Sequence, residues 1–116
     1  MIGLDLEHID RIKEPLKLLQ KIATEPEICY IQKFKNQKEK VATLWAVKEA
    51  VFKSLDVSAG EIPFKEIELL HKENGKPIIK LSGKAKEALE KLGGKEIQIS
   101  ISHTVDIVGA VAIVIF

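Results

Sequence analysis

The sequence contains little cysteine and little arginine. Cys29 is the single cysteine among the 116 residues, so no internal disulfide can form. This fits a reducing compartment, and we expect a cytoplasmic protein in which Cys29 is a small buried hydrophobe rather than a nucleophile. Arg11 is the only arginine among 18 basic residues, which disfavours a surface built for bidentate contacts to phosphates or base edges.

Net charge and long apolar runs are lacking as well. The formal net charge is +1, so no overall field attracts nucleic acid or an anionic membrane, and we expect neither as a partner. No apolar run is long enough to span a bilayer. Asp5 and Glu7 interrupt the apolar start of the chain, so we expect no signal peptide.

Several common site motifs are missing. The sequence contains no P-loop, no G-x-G-x-x-G and no G-x-S-x-G segment, which excludes nucleotide binding through a familiar Gly-rich loop. His103 follows a strongly alternating segment, but no second His or Cys lies at ligand spacing from it, so a zinc site is disfavoured.

The periodicity of the chain predicts an α+β fold. With 46% hydrophobic and 30% charged residues, we expect one domain over residues 1–116. "MIGLDLEHI" alternates like a half-buried strand, in which we assign Ile2, Leu4 and Leu6 to the core face and Asp5 to the opposite face. The pattern "IDRIKEPLKLLQKI" indicates helix with a break near Glu14, because Pro15 is costly inside a helix and suits its first turn.

Two further helices follow. "TEPE" is a capping-box pattern with Thr24 as N-cap and Glu27 at the third helical position, and it predicts a short helix through about Phe34. The longest helical pattern runs from Lys38 to Leu55. Its apolar residues recur at three- and four-residue steps and predict a core stripe: Val41, Leu44, Val47, Val51 and Leu55.

The second half of the chain, after a loop at "DVSAG", is richer in strands. "FKEIELLHK" and "KPIIKL" flank "ENG" and predict a hairpin. "SGKAKEALEKLGG" predicts a helix with Ser82 as N-cap and Gly93 or Gly94 as its stop. "EIQISIS" and "DIVGAVAIVIF" predict a second hairpin around "HTVD". The last strand is almost wholly apolar, which requires either another subunit against it or a central place in a sheet.

One face of the long helix carries polar residues that could do chemistry. Glu49 and Lys53 lie one helical turn apart, on a face shared with Trp45 and Phe52. Taken alone, they are an ordinary surface ion pair worth about 0.3 kcal/mol. Together with Asp5 on another element they also suit Mg²⁺, which is usually held by one or two carboxylates and by substrate phosphates.

Four segments in order carry a resemblance to a known family. "GLD", "WAVKEAVFKSL", "ENGKP" and "ISISHT" resemble the holo-[acyl-carrier-protein] synthases, the small single-domain 4'-phosphopantetheinyl transferases. The resemblance implies that fold, with a small antiparallel sheet packed on a long central helix and shorter helices. It also implies transfer of the phosphopantetheine of coenzyme A to a serine of apo acyl carrier protein, for fatty acid biosynthesis, with release of adenosine 3',5'-bisphosphate.

The same resemblance assigns roles to residues. It implies that Asp5 and Glu49 ligate Mg²⁺ and that Lys53 neutralises the departing phosphate oxygen. Either Glu49 or a metal-bound water is then the base for the serine proton. The turn from Gly75 to Pro77 and the pair His103 and Thr104 are implied to contact the nucleotide end of coenzyme A. Lys48 is left as a phosphate contact or a solvated side chain.

The resemblance further implies a homotrimer with each site between neighbouring subunits, which would cover the apolar last strand. It also implies an acidic carrier protein as partner. Four cations of the first helical region would dock that carrier, although such a charge run is a plain solvated face in most proteins; they are Arg11, Lys13, Lys17 and Lys21.

Two departures from the family pattern weaken the coenzyme A contacts. Asp56 stands where the family has Gly, and Leu44 stands where it tends to have Arg, so that phosphate contact passes to Lys35, Lys38 or Lys40. The alternative functions are therefore a non-catalytic trimeric module that binds carrier protein and, with less support, a plain α+β interaction domain.

Overall fold

The computed structural model describes residues 1–58 and 60–116 and has the predicted α+β architecture. The strands are β1 (Ile2–His8), β2 (Ile67–His71), β3 (Pro77–Leu81), β4 (Glu96–His103) and β5 (Ile107–Ile115). The helices are α1 (Pro15–Ile22), α2 (Glu25–Ile31), α3 (Gln37–Ser54) and α4 (Gly83–Lys91), with short 3-10 turns at Ile9–Arg11 and Phe64–Glu66. None of the helices in these residues is long and apolar enough to cross a membrane.

The strands form two antiparallel sheets. The larger sheet has the order β1-β5-β4, and the hairpin of β2 and β3 is a separate two-stranded sheet. Both predicted hairpins are therefore confirmed. Strand β5 is central, with Ala110 paired to Asp5 on one side and to Ile101 on the other. Its apolar character follows from this central position, which was one of the two explanations that the sequence allowed.

Helix α3 packs along the larger sheet and forms the centre of the core. The predicted stripe is confirmed, since its five apolar residues are each at most 2% exposed. Phe52 is also buried, at 1% exposure, and its ring meets Phe64 edge-on at 5.1 Å between ring centroids. Phe52 therefore belongs to the core rather than to the polar face with Glu49.

Our assignment of the core face of β1 is wrong. Ile2, Leu4 and Leu6 are 66%, 55% and 63% exposed, while Gly3 is buried and Asp5 is half-buried. The reason is steric, because Gly3 lies directly against α3. A Cβ at Gly3 would overlap the carbonyl oxygen of Ala50 and lie 2.7 Å from the amide nitrogen of Ser54. Only a face without side-chain bulk at this position can approach the helix so closely.

The caps of α1 and α2 agree with the sequence. Pro15 is the first residue of α1. The Thr24 hydroxyl accepts a hydrogen bond from the Glu27 amide at 3.4 Å, and the Glu27 carboxylate accepts one from the Thr24 amide at 2.8 Å. Helix α2 ends at Ile31 instead of Phe34. Cys29, expected to be buried, is exposed, because it lies on the outward side of this short helix.

The start of α4 is capped by a residue that is far away in the sequence. Ser82 is at the N-cap position as predicted, but its side chain makes no capping hydrogen bond. The carboxylate of Glu66 accepts hydrogen bonds from the amides of Lys84 at 2.6 Å and Ala85 at 3.3 Å instead. This carboxylate satisfies two of the amides that a helix start leaves free.

Two turns contain residues with positive φ. Gly75 closes the β2–β3 hairpin with φ of +87°. Asp56, at the position after α3 where the resemblance led us to expect Gly, has φ of +58°, in the left-handed region that Asp tolerates better than most residues. Ala59 of the predicted "DVSAG" loop lies outside the described residues.

We predict that Gly3→Ala destabilises the protein by about 1–3 kcal/mol, because the added methyl group forces β1 away from α3. Urea denaturation of both proteins measures the difference. Gly109→Ala is the matched control, since a Cβ there is 2.9 Å from the flexible end of the Leu6 side chain, and the next atoms, two backbone oxygens, are at an ordinary 3.9 Å. Equal unfolding free energies for the two variants would contradict close β1–α3 packing.

Candidate active site

The packing of β1 on α3 brings three predicted site residues together. Lys53 donates hydrogen bonds from its Nζ to Asp5 Oδ1 at 3.2 Å and to the carbonyl oxygen of Leu4 at 2.9 Å. Among the described residues the ion pair of Lys53 is with Asp5, not with Glu49 one turn earlier. The interpretation of Glu49 and Lys53 as an ordinary surface pair is therefore wrong.

Two carboxylates beside this ion pair, Glu7 and Glu49, have raised pKa values. Burial is the main cause of the raised pKa of Glu49, and the charge of Asp5 adds to it, whereas Lys53 acts in the opposite direction. Glu7 also has a raised pKa, first from burial and then from Asp5, while a hydrogen bond with Trp45 opposes the shift. Glu7 and Glu49 are thus harder to ionise, first because they are partly buried and then because the charge of Asp5 lies nearby.

Glu7 is a site residue that the sequence analysis missed. It lies two positions after Asp5 and therefore on the same face of β1. The two-residue spacing of Asp5 and Glu7 was the available signal in the sequence. Because we assigned this face of β1 to solvent, Glu7 was not considered as a site residue. Asp5, Glu7 and Glu49 form the acidic part of the site, which we call the carboxylate cluster.

The carboxylate cluster has an unsatisfied acceptor. Asp5 Oδ2 is buried and has no hydrogen-bond partner, and the Asp5 side chain is only 11% exposed. Within residues 1–58 and 60–116 no group of three or more His, Cys, Asp or Glu side chains is arranged so that it could hold a metal ion. One or two carboxylates with an open acceptor nevertheless fit Mg²⁺, which retains water and substrate oxygens as its other ligands.

A second group of predicted residues lines a cleft of about 350 Å³ between the β2–β3 hairpin, β4 and the first half of α3. Gly75, Pro77 and His103 all lie there, with Lys40. His103 Nε2 is 3.6 Å from a carboxylate oxygen of Glu39.

Thr104 is not part of this cleft lining. Its hydroxyl accepts hydrogen bonds from the amides of Asp106 at 3.2 Å and Ile107 at 3.1 Å. In this structure Thr104 therefore holds the turn between β4 and β5.

Two of the lysines considered for phosphate lie in different places. Lys40 lines the cleft and lies over the ring of Phe34, at 4.4 Å from its centroid. Lys38 is 4.0 Å from Asp10 at the surface. Leu44 is 2% exposed, so its position belongs to the core and offers no contact to a ligand.

Both predictions for Lys48 are wrong. Its side chain is fully buried, and its Nζ donates to the carbonyl oxygens of Ile22 and Phe64 and to the carboxylate of Glu27. A Lys is seldom buried unless it is paired, and the sequence does not reveal the partners because they lie on other elements.

The four predicted docking cations share one surface. Arg11, Lys13, Lys17 and Lys21 line a shallow groove of about 290 Å³ along α1 and the segment before it. Lys17 is 3.8 Å from Glu14, and both side chains are highly exposed. We call these four residues the basic face.

The chain matches known proteins over nearly its whole length. The family model of the 4'-phosphopantetheinyl transferase superfamily matches residues 1–108. The chain is 38% identical to the holo-[acyl-carrier-protein] synthase of Caldanaerobacter subterraneus subsp. tengcongensis over 118 aligned positions, which cover 98% of this chain and 93% of that protein. It is also 38% identical to the holo-[acyl-carrier-protein] synthase of Clostridium novyi, over 88% of this chain and 77% of the relative.

Solved structures agree with these relatives. The fold is similar to that of Helicobacter pylori holo-[acyl-carrier-protein] synthase in complex with coenzyme A, with a TM-score of 0.84, 29% identity and coverage of 98% of this chain and 99% of that one. It is similar also to the Bacillus anthracis synthase in complex with CoA (3',5'-ADP), with a TM-score of 0.82, 30% identity and coverage of 97% and 93%. The chain therefore belongs to the 4'-phosphopantetheinyl transferase superfamily.

Proposed function

We propose that this protein is a holo-[acyl-carrier-protein] synthase. It transfers the 4'-phosphopantetheine group of coenzyme A to a serine of apo acyl carrier protein, which supplies holo carrier protein for fatty acid biosynthesis. The observation that carries the proposal is the convergence of Asp5, Glu49 and Lys53 where β1 meets α3. The relatives named as holo-[acyl-carrier-protein] synthases, two of them solved with coenzyme A or its nucleotide, support it.

The reaction breaks the pyrophosphate of coenzyme A. The serine oxygen of the carrier forms a bond to the phosphorus that bears pantetheine, and the bond from that phosphorus to the bridging oxygen breaks. Adenosine 3',5'-bisphosphate leaves with the bridging oxygen. Lys53 is placed to neutralise the charge that develops on that oxygen, and Glu49 or a neighbouring water takes the serine proton.

Magnesium is part of the proposal. Asp5 and Glu49 would hold Mg²⁺, with Glu7 beside them, and the open acceptor at Asp5 Oδ2 supports this assignment. When bound, the ion neutralises charge on the pyrophosphate oxygens.

The cleft between the β2–β3 hairpin, β4 and the first half of α3 is the proposed binding site for the nucleotide end of coenzyme A. Gly75, Pro77 and His103 lie around it, and Lys40 supplies a cation there. Lys40 is one of the three lysines that the sequence offered for this phosphate contact, which the buried Leu44 cannot make. We also propose that the protein acts in the cytoplasm, where its single exposed Cys29 stays reduced.

The first experiment measures transfer directly. Apo acyl carrier protein is incubated with this protein, coenzyme A and Mg²⁺, and its mass is determined. We expect a gain of one phosphopantetheine group that EDTA abolishes. Asp5→Asn and Glu49→Gln, which preserve side-chain size, should each reduce the rate about 100-fold or more if positioning and charge neutralisation are lost.

The controls separate the alternatives. Circular dichroism must show that both variants are folded, and an established transferase must modify the same carrier. Retained activity in both variants would contradict the assigned ligands. An unchanged carrier mass with the wild-type protein, accompanied by carrier binding, would identify the non-catalytic binding module instead.

The homotrimer is also a proposal, and the open face of the larger sheet supports it. Four large apolar side chains there are 41–66% exposed: Ile2, Leu4, Leu6 and Ile113. The register places them side by side, since Ile2 pairs with Ile113 across β1 and β5. Contiguous apolar surface of this kind usually marks an interface between proteins.

We predict that Leu4→Glu dissociates the oligomer, because it places a charge at the centre of this open face. Analytical ultracentrifugation compares the variant with the wild-type protein. Leu16→Glu is the matched control, since Leu16 is 62% exposed on α1 and not part of the open face. A wild-type monomer, or equal dissociation of both variants, would refute this assembly.

Docking of the carrier on the basic face gives a further prediction. The double variant Lys17→Glu with Lys21→Glu should raise the KM for an acidic carrier about tenfold at low salt with little change in kcat, because rim charges mainly steer association. The effect should shrink as salt is added. The control is Lys86→Glu with Lys91→Glu, two exposed lysines of α4. An equal rise in KM for both double variants would argue against specific docking.

A further inference from the structure

A buried ion pair connects α3 to the elements around it. The Nζ of Lys48 donates three hydrogen bonds, to the carbonyl oxygen of Ile22 at 2.7 Å, to Glu27 Oε1 at 2.9 Å and to the carbonyl oxygen of Phe64 at 3.0 Å. An ammonium group has three N–H donors. Every donor of Lys48 is therefore used, and each acceptor belongs to a different segment.

The partner carboxylate is equally well satisfied. Glu27 Oε1 also accepts from the amide of Thr24 at 2.8 Å, and Glu27 Oε2 accepts from the amide of Leu69 at 2.7 Å. The side chains of Lys48 and Glu27 are 0% and 2% exposed. Lys48, Glu27 and the backbone groups that they bind form what we call the lysine node.

Burying the charges of Lys48 and Glu27 costs free energy of folding, because both groups lose their hydration. Burial lowers the pKa of Lys48, and the charge of Glu27 offsets only part of that effect. Buried ion pairs generally stabilise a fold no better than apolar side chains of the same size. What a fully hydrogen-bonded pair adds is one defined arrangement of its surroundings.

On one side, the lysine node holds α1. Ile22 is the last residue of α1, so its carbonyl oxygen is one that a helix end leaves without an intrahelical partner. Lys48 binds this oxygen. Lys17 and Lys21 of the basic face lie on the same helix, and the position of the proposed docking surface is thus tied to Lys48.

On the other side, the lysine node reaches the carboxylate cluster. Glu49 is the next residue of α3. The second carbonyl oxygen belongs to Phe64, whose ring stacks on Trp45 with centroids 5.4 Å apart. Trp45 in turn lies on α3 one helical turn before Glu49.

We propose that Lys48 and Glu27 are positioning residues that fix the carrier-docking helix α1 relative to the carboxylate cluster. This inference rests on the proposed synthase function. The position of α1 determines where a docked carrier holds its serine, whereas Asp5, Glu49 and Lys53 determine where the phosphate lies. The lysine node sets the distance between α1 and the carboxylate cluster. A small displacement of the reacting groups lowers the reaction rate strongly.

The test is the double variant Lys48→Met with Glu27→Gln. Met preserves the length of the Lys side chain without its charge, and Gln removes the buried carboxylate that would otherwise be left unpaired. Replacing both partners therefore spares the fold better than either single change. We expect kcat/KM for apo carrier protein to fall about tenfold or more, while the KM for coenzyme A changes less than about twofold.

A stability control separates positioning from simple loss of stability. Leu89→Ala opens the core under α4, where Leu89 is 6% exposed and lies close to Gly94 and to Val114 near the end of β5. All proteins are assayed at a temperature where circular dichroism shows them folded. Leu89→Ala should retain the wild-type KM for carrier. Trp45 is the only tryptophan, and its fluorescence should change in the double variant and not in the control.

Each other outcome overturns the inference in a recognisable way. Equal kinetics for the double variant and Leu89→Ala, with unchanged Trp45 emission, would show that the lysine node only stabilises the fold. A parallel rise in KM for coenzyme A would show that it supports the nucleotide cleft instead. Absence of transfer by the wild-type protein would refute the proposed function itself, and this inference with it.

Discussion

The close contact of β1 with α3 is the constraint on which the site depends. Gly3 provides it, because any side chain there would overlap the backbone of α3 near Ala50. Asp5 follows on the same face of the strand, and Glu49 and Lys53 flank the contact on the helix. A residue with a Cβ at position 3 would separate the two elements and move Asp5 away from the Lys53 ammonium, now 3.2 Å from it. The site is thus the consequence of one missing side chain.

The same contact explains the unusual surface of β1. A strand that presents Gly and carboxylates to the helix must place its Ile and Leu residues on the other face. These residues remain open in the single chain. The proposed active site and the proposed subunit interface are therefore the two faces of one strand, and a mutation that flips or shifts β1 would damage both.

Two groups of buried charges illustrate different uses of polar residues. In the lysine node every donor and acceptor of Lys48 and Glu27 has a partner, as in a network that defines structure. In the carboxylate cluster Asp5 Oδ2 has none, and Glu7 and Glu49 have raised pKa values from burial and from the charge of Asp5. Incomplete satisfaction of this kind leaves a site ready for a cation or a proton.

The sequence by itself determined the local features of this protein. Helix starts at Pro15 and Thr24, the hairpin turn at Gly75 and the stripe of α3 depend on neighbours within a few residues, so their patterns could be interpreted directly. The family motifs also selected Asp5, Glu49 and Lys53 as a group.

Only the tertiary structure decided which face of β1 is covered, since alternation defines two faces but not the neighbour that each one meets. It likewise decided that Glu7 joins the site, that Lys48 is buried and that Glu66 caps α4. Each of these depends on contacts between residues that are far apart in the chain, such as Lys48 with Ile22 and Glu66 with Lys84. Such contacts form only when whole elements pack together, and no local pattern records them.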